Sequence, residues 1–198
     1  NVQSIRERAK MEASMMFRHP NLIEMVGYFE VRPNKGPIFI ISEFVNGENI
    51  DDFIEKHIRQ MPNVEQRICN IFIPVLDALS YIHKKGILHL DVKPSNIMVE
   101  NGRNSRLMDL GIVEKTAGGN NLLKEGLMGT PKYAAPEQFA QSQGKLTFAT
   151  DIYEVGVTLY ELITRHNPFI ANSIDAANYL HKRVILKKTP LISNAVLS

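Results

Sequence analysis

A single cysteine, Cys69, stands in the whole chain. No internal disulfide can form, and a reducing compartment fits. An excess of charge of either sign is missing too. The 23 lysines and arginines meet 21 aspartates and glutamates, for a formal net charge of +2. That balance gives no reason to expect nucleic acid or an anionic membrane surface as a partner. No apolar run reaches the length of a membrane span, and Asn1-Val2-Gln3-Ser4 does not begin a signal peptide. Internal repeats and low-complexity linkers are lacking as well. What remains is a chain of 198 residues, 44% hydrophobic, which is enough for one sizeable core in an ordinary globular domain. A cytoplasmic protein, or a cytoplasmic part of a larger one, is expected. The first residue is not Met, so a piece of a longer chain is expected too.

The polar stretch His89-Leu90-Asp91-Val92-Lys93-Pro94-Ser95-Asn96 lies between two apolar runs, Gly86-Ile87-Leu88 and Ile97-Met98-Val99. The pattern predicts strand, loop, strand, and buried strands hold a loop's polar groups in fixed positions. Asp91 can accept a proton, Lys93 can neutralise a phosphate, and Asn96 offers an oxygen to a hard cation. Downstream, Asp109-Leu110-Gly111 follows the apolar pair Leu107-Met108. Asp109 with Asn96 could hold magnesium, which takes few protein oxygens and fills its shell with water and substrate phosphates. Either aspartate alone would read as an ordinary turn residue.

In chain order, residues from about Ser4 to Phe17 read as a helix, stopped by His19-Pro20-Asn21. Leu22 to Glu30 and Pro37 to Glu43 read as strands joined by the turn 31–36. Ile50 to Ile58 reads as a helix. A longer helix follows, with Asn63 as N-cap and Gln66 completing a capping box. Val64, Ile68, Ile71, Val75, Leu79 and Ile82 make its apolar stripe, Gly86 suits the position past its end, and Pro74 should kink it near Asn70. Cys69 reads as a small core or flank residue. Phe148 to Thr164 is a second strong helix, capped by Thr147 and apolar nearly all round. Ser173 caps a further helix reaching about Leu186.

Taken together, His-x-Asp-x-Lys-x-x-Asn at 89–96, Asp109-Leu110-Gly111, and Gly129-Thr130-Pro131-Lys132-Tyr133-Ala134-Ala135-Pro136-Glu137 resemble the protein kinase superfamily, with the Ser/Thr type indicated by Lys93. The resemblance runs from about Glu12 to about Ile185. It implies an α+β, two-lobe fold, with residues 1–43 as the remainder of the small lobe and 44–198 as a truncated, mostly helical large lobe. It implies transfer of the ATP γ-phosphate, with Mg2+, to Ser or Thr hydroxyls of a protein substrate.

The resemblance also assigns roles residue by residue. Asp91 would be the catalytic carboxylate, Lys93 the phosphate-neutralising cation, and Asn96 and Asp109 the metal ligands. The Thr130 hydroxyl would bond Asp91 and Lys93. Glu43-Phe44-Val45 resembles the hinge, where backbone groups of Glu43 and Val45 read the adenine, with Ser42 as gatekeeper and Met98 beneath the ring. His89 would pack against the Asp109-Leu110-Gly111 segment, and Leu110 would join the apolar column linking the lobes. Glu137 would pair with an Arg of a later helix, expected beyond Ser198. Asp151, in Asp151-Ile152-Tyr153-Glu154-Val155-Gly156, would accept backbone N–H bonds from the catalytic loop.

The small-lobe Glu is open. The usual spacing to His19-Pro20 points to Lys10, whereas apolar Met15 and Met16 follow Glu12, and a loop shorter by two residues favours Glu12.

Two departures stand out. Leu90 replaces the usual Arg before the catalytic Asp, so activity is expected to depend little on phosphorylation of Thr116. No Gly-rich loop or Val-Ala-x-Lys strand precedes the helix. The chain by itself is therefore expected to be inactive. A pseudokinase or kinase-like binding module is the alternative, and a small-molecule phosphotransferase a third reading.

Overall fold

The computed structural model describes residue 10 and residues 17–32, 35–109, 113–114, 129–139 and 145–183. Glu12, Leu110, Gly111 and Thr116 lie outside these residues, as does most of the helix expected at 4–17, of which Lys10 is described and helical.

Strands β1 (Met25–Glu30) and β2 (Ile38–Ser42) form an antiparallel hairpin with an irregularity between Met25 and Gly27. Both are slightly shorter than their apolar patterns suggest. Leu22 instead bridges Leu107, and the Ile23 amide donates to the Leu107 carbonyl at 2.9 Å. The segment before β1 is thus tied to the larger sheet.

That sheet is antiparallel, in the order β3 (Gly47–Asn49), β5 (Ile97–Glu100), β6 (Asn104–Leu107). The strands alternate. Ile97, Val99, Ser105 and Leu107 are buried on one face, while Met98 and Arg106 sit opposite each other, half-buried, on the other. The short β4 (Ile87–Leu88) pairs with β7 (Val113–Glu114).

Helix α1 (Ile50–Phe53) begins where the Asn49 side chain accepts the Asp51 amide at 3.0 Å. It does not continue as α-helix to Ile58. Ile54–Ile58 widens into a π-turn that buries Ile54 and Ile58.

Helix α2 (Val64–Lys84) carries the expected stripe, with Ile68, Ile71, Val75, Leu79 and Ile82 buried. Its start differs from the expectation. Asn63 is left-handed, with φ 57°, and its side chain makes no capping bond. Gln66 donates to Asn70 Oδ1 at 3.0 Å instead of reaching back. Pro74 lies inside this helix. Gly86, with φ 78°, ends it in the left-handed conformation a side chain resists.

Helix α3 (Phe148–Thr164) packs Val155 and Leu162 against α2 and the β5–β6 strands in one core. It is not buried all round, since Ile152 is 52% exposed. Ser173 Oγ accepts the Ala176 amide at 3.1 Å at the start of α4 (Ile174–Arg183). Among the described residues, no helix is long and apolar enough to cross a membrane.

Candidate active site

Residues 89–93 form no sheet ladder, so their backbone groups need other partners. Helix α3 supplies most of them. Asp151, fully buried, accepts the amides of His89 at 2.9 Å and Leu90 at 2.8 Å. His83 Nε2 donates to the same carboxylate at 2.6 Å. One turn on, Glu154 accepts the Val92 amide at 2.8 Å, and the Thr158 hydroxyl donates to the Val92 carbonyl at 2.9 Å. Residues 151, 154 and 158 share one helix face, so a single rigid element grips the loop.

His89 is buried and fixes the next peptide itself. The Asp91 amide donates to its Nδ1 at 3.2 Å, so the ring hydrogen sits on Nε2, which donates to the Met108 carbonyl at 3.1 Å. Burial pushes the imidazole below its ordinary value, against the pull of Asp151. His89 is a neutral spacer between the loop and the segment leading to Asp109.

The loop presents a closed ring of polar side chains. Lys93 Nζ donates to Asp91 Oδ2 at 2.7 Å and to Thr130 Oγ1 at 2.8 Å. The Thr130 hydroxyl donates to Asp91 Oδ1 at 2.7 Å. Asn96 Nδ2 donates to the Asp91 carbonyl at 2.9 Å and to Oδ2 at 3.2 Å. Both carboxylate oxygens of Asp91 are therefore aimed, and its rotamer is set from three directions. Asn49 steadies the far end of the loop by donating to the Pro94 carbonyl at 3.0 Å.

Asn96 and Asp109 come to the same end of β5–β6. Ile97 pairs with Leu107, and the Met108 amide donates to the Asn96 carbonyl at 2.9 Å. The Asn96 amide nitrogen is turned to Asp91, and its side-chain oxygen could face a cation. Asp109 is exposed, with φ 53°. Two hard oxygen donors suit magnesium shared with a nucleotide. Among the described residues no cluster of three or more His, Cys, Asp or Glu forms a protein-only cage.

The segment expected to be the hinge meets the Arg106 face of the sheet. The Glu43 amide donates to the Glu24 carbonyl at 2.9 Å, and its carboxylate accepts the Glu24 amide at 2.7 Å. Arg106, cross-strand from Met98, pairs with that carboxylate and donates to the Leu22 carbonyl at 2.8 Å. Burial alone would raise the Glu43 carboxyl. The Glu24 amide and the guanidinium outweigh it and hold the group below its ordinary value. The Val45 carbonyl accepts the Gly47 amide at 3.1 Å.

Glu137 accepts the Thr150 hydroxyl at 2.7 Å, a bond to helix α3 that the sequence did not suggest. Leu90 is 1% exposed and packs with Leu88, Leu146 and Phe148. The Cys69 thiol is pushed up by burial and Glu65, away from a reactive thiolate.

Sequence reasoning missed Arg106, Gln138, Glu154 and Thr158. For Glu154 and Thr158 a signal existed: polar residues three and seven positions after Asp151, on the same face of the helix. Arg106 and Gln138 carried none.

Comparison with known proteins adds an independent line. The family model described as protein kinase domain matches residues 1–195. Serine/threonine-protein kinase pkn3 of Myxococcus xanthus is 36% identical over 176 residues, 85% of this chain and 31% of its own length. Serine/threonine-protein kinase PknB of Mycolicibacterium smegmatis is 31% identical over 183 residues, 90% of this chain and 28% of its own length. A probable LRR receptor-like serine/threonine-protein kinase, RPK1 of Arabidopsis thaliana, is 34% identical over 160 residues, covering 79% of this chain and 28% of its own length. The chain thus spans under a third of the length of these curated relatives.

Proposed function

The chain belongs to the protein kinase domain family, and from that premise we propose that it carries the catalytic centre of an ATP-dependent protein serine/threonine kinase. Residues 1–43 would belong to the small lobe and 44–198 to the large lobe. The observation that carries the reading is the Asp91 carboxylate, bonded through one oxygen to Thr130 and through the other to Lys93 and Asn96.

Phosphoryl transfer asks a protein mainly for positioning and charge. A substrate Ser or Thr hydroxyl entering beside Asp91 would be oriented by it and give up its proton to it. Lys93, already within 2.7 Å of Asp91, would move its charge onto the phosphoryl oxygens as they pass. Thr130 would hold the Asp91 rotamer while the substrate is exchanged. The backbone of Glu43 and Val45 would read the adenine ring, with Met98 as its apolar floor. Arg106 would steady this hinge through Glu43. Asn96 and Asp109 would hold magnesium, whose charge screens the nucleotide phosphates when bound.

The test is Asp91→Asn in the full-length protein, with the whole small lobe in place. Phosphate transfer to a protein substrate should fall about 100- to 10,000-fold, while nucleotide affinity by calorimetry stays close to wild type. Undiminished turnover would remove Asp91 from the mechanism. Nucleotide binding without transfer in the wild-type protein would favour the kinase-like binding module.

A further inference from the structure

Two buried side chains lie on either side of Asp91 without touching its carboxylate. Gln138 and Glu154 are both fully buried. Gln138 Nε2 donates to the Leu90 carbonyl at 3.1 Å and to Glu154 Oε1 at 2.9 Å. Gln138 Oε1 accepts the Ala135 amide at 2.6 Å. The second Glu154 oxygen accepts the Val92 amide at 2.8 Å. The pair therefore holds the carbonyl just before Asp91 and the amide just after it, and each member also holds the other.

The arrangement links three separate parts of the chain: the loop at 89–93, the segment 129–138 and helix α3. Gly129 closes the same spot. A Cβ there would collide with the Leu90 carbonyl oxygen and sit 3.1 Å from Gln138 Nε2, and Gly129 has φ +95°. A side chain would displace the Leu90 carbonyl or Gln138. Thr130, the next residue, bonds Asp91 directly. Seating residues 129–138 thus fixes both the carboxylate, through Thr130, and the peptide groups beside it, through Gln138.

We propose that Gln138 and Glu154 are a linked pair of positioning residues that fix the two peptide groups flanking Asp91, so that the loop takes its working shape only when residues 129–138 are seated on it. The role rests on the kinase reading above. The linkage is one of donor to acceptor. Burial pushes the Glu154 carboxyl up and its Val92 and Gln138 donors pull it down, but with an N–H on each oxygen it accepts from both at once, whereas a glutamine at 154 must turn an N–H toward one of these two donors. A donor facing a donor in a buried site cannot relax into water.

The experiment is a double-mutant cycle with Glu154→Gln and Gln138→Met. Glu154→Gln should lower kcat about 100-fold, the order expected from a small misplacement of a catalytic group, with KM for ATP little changed. It should also speed amide exchange at Val92. Gln138→Met should lower kcat in the same way. In the double variant the donor conflict is gone, and the side-chain oxygen at position 154 can take the Val92 amide. Its kcat should exceed that of Glu154→Gln alone, with Val92 exchange slowed again. Strictly additive losses, or wild-type Val92 exchange in Glu154→Gln, would overturn the linkage. Amide exchange needs no phosphate transfer, so it judges the pair even if the protein proves not to phosphorylate. Should Glu154→Gln fail to fold, Gln138→Met decides alone: it loses the bond to the Leu90 carbonyl, so exchange of the Asp91 amide, in that same peptide group, as slow as in wild type would overturn the proposal.

Discussion

The Thr130 hydroxyl donates to Asp91 Oδ1 at 2.7 Å across 39 residues of sequence. Lys93 reaches the same hydroxyl oxygen at 2.8 Å. Hydrogen bonds to charged groups contribute about 1.5–3 kcal/mol, so Thr130→Val should lower kcat about 10- to 100-fold. Thr130→Ser keeps the hydroxyl and should stay near wild type. Steady-state kinetics on the two variants checks this, and equal rates would show that the hydroxyl is idle.

Asp151 accepts two loop amides and His83 from a fully buried position. Asp151→Asn turns an amide N–H toward at least one of these donors. The expected loss is about 3 kcal/mol of stability, as for a broken buried charged contact. Urea denaturation measures it. A shift within error of zero would mean the loop has other anchors.

Arg106 and Glu43 tie β6 to the segment that follows β2. Arg106→Met leaves a partly buried carboxylate without its guanidinium, and the expected cost is about 1–2 kcal/mol. Glu43→Gln should cost less, because a side-chain oxygen still accepts the Glu24 amide. The Glu43 carboxyl is lowered in the folded state. Its stabilising contribution is therefore present above the ordinary value of 4.5 and lost as pH falls through the lowered folded value. Acid denaturation of Arg106→Met should show a shallower dependence in that window than the wild type.

Two histidines act at higher pH. Burial lowers both His89 and His181 from the ordinary 6.5. His181 Nε2 donates to the Pro131 carbonyl at 2.9 Å, and its Nδ1 meets the Tyr153 hydroxyl at 2.7 Å. Below 6.5 the unfolded chain binds protons that the folded one refuses. The histidine contribution is present above 6.5 and fades as pH falls through the lowered folded values. The urea midpoint should drop across that range, and less steeply in His181→Asn. A midpoint that is flat with pH in the wild type would contradict the burial argument.

Leu90 occupies a left-handed position, φ 61°, with its side chain among Leu88, Leu146 and Phe148. Leu90→Arg would bury a guanidinium without a partner, at a cost of about 3 kcal/mol or more. Thermal denaturation checks it. A stable Leu90→Arg protein would mean that the side chain can swing out to solvent, where it could bind a phosphate.

Much of this molecule was legible locally. The loop from His89 to Asn96 keeps Asp91, Lys93 and Asn96 within a few residues of one another, so their convergence needs only a tight turn between two strands. The stripe of α2 repeats with the helical period and names its own buried face, whereas α3 buries Asp151, Glu154 and Thr158 and leaves Ile152 exposed. Tertiary structure decided what crosses the chain. Thr130 meets Asp91 only after residues 129–138 dock on the loop. Arg106 finds Glu43 over 63 residues, and Gln138 finds Glu154 on another element. The same holds where local signals misled. Asn63 has a good capping side chain, yet its left-handed backbone leaves it without a capping bond. Ile54–Ile58 reads as plain helix, yet it widens where Ile54 and Ile58 are buried. Periodicity records which face of an element is apolar. A hydrogen-bond partner depends on which elements are pressed together and at what register, and no single stretch of sequence carries that information.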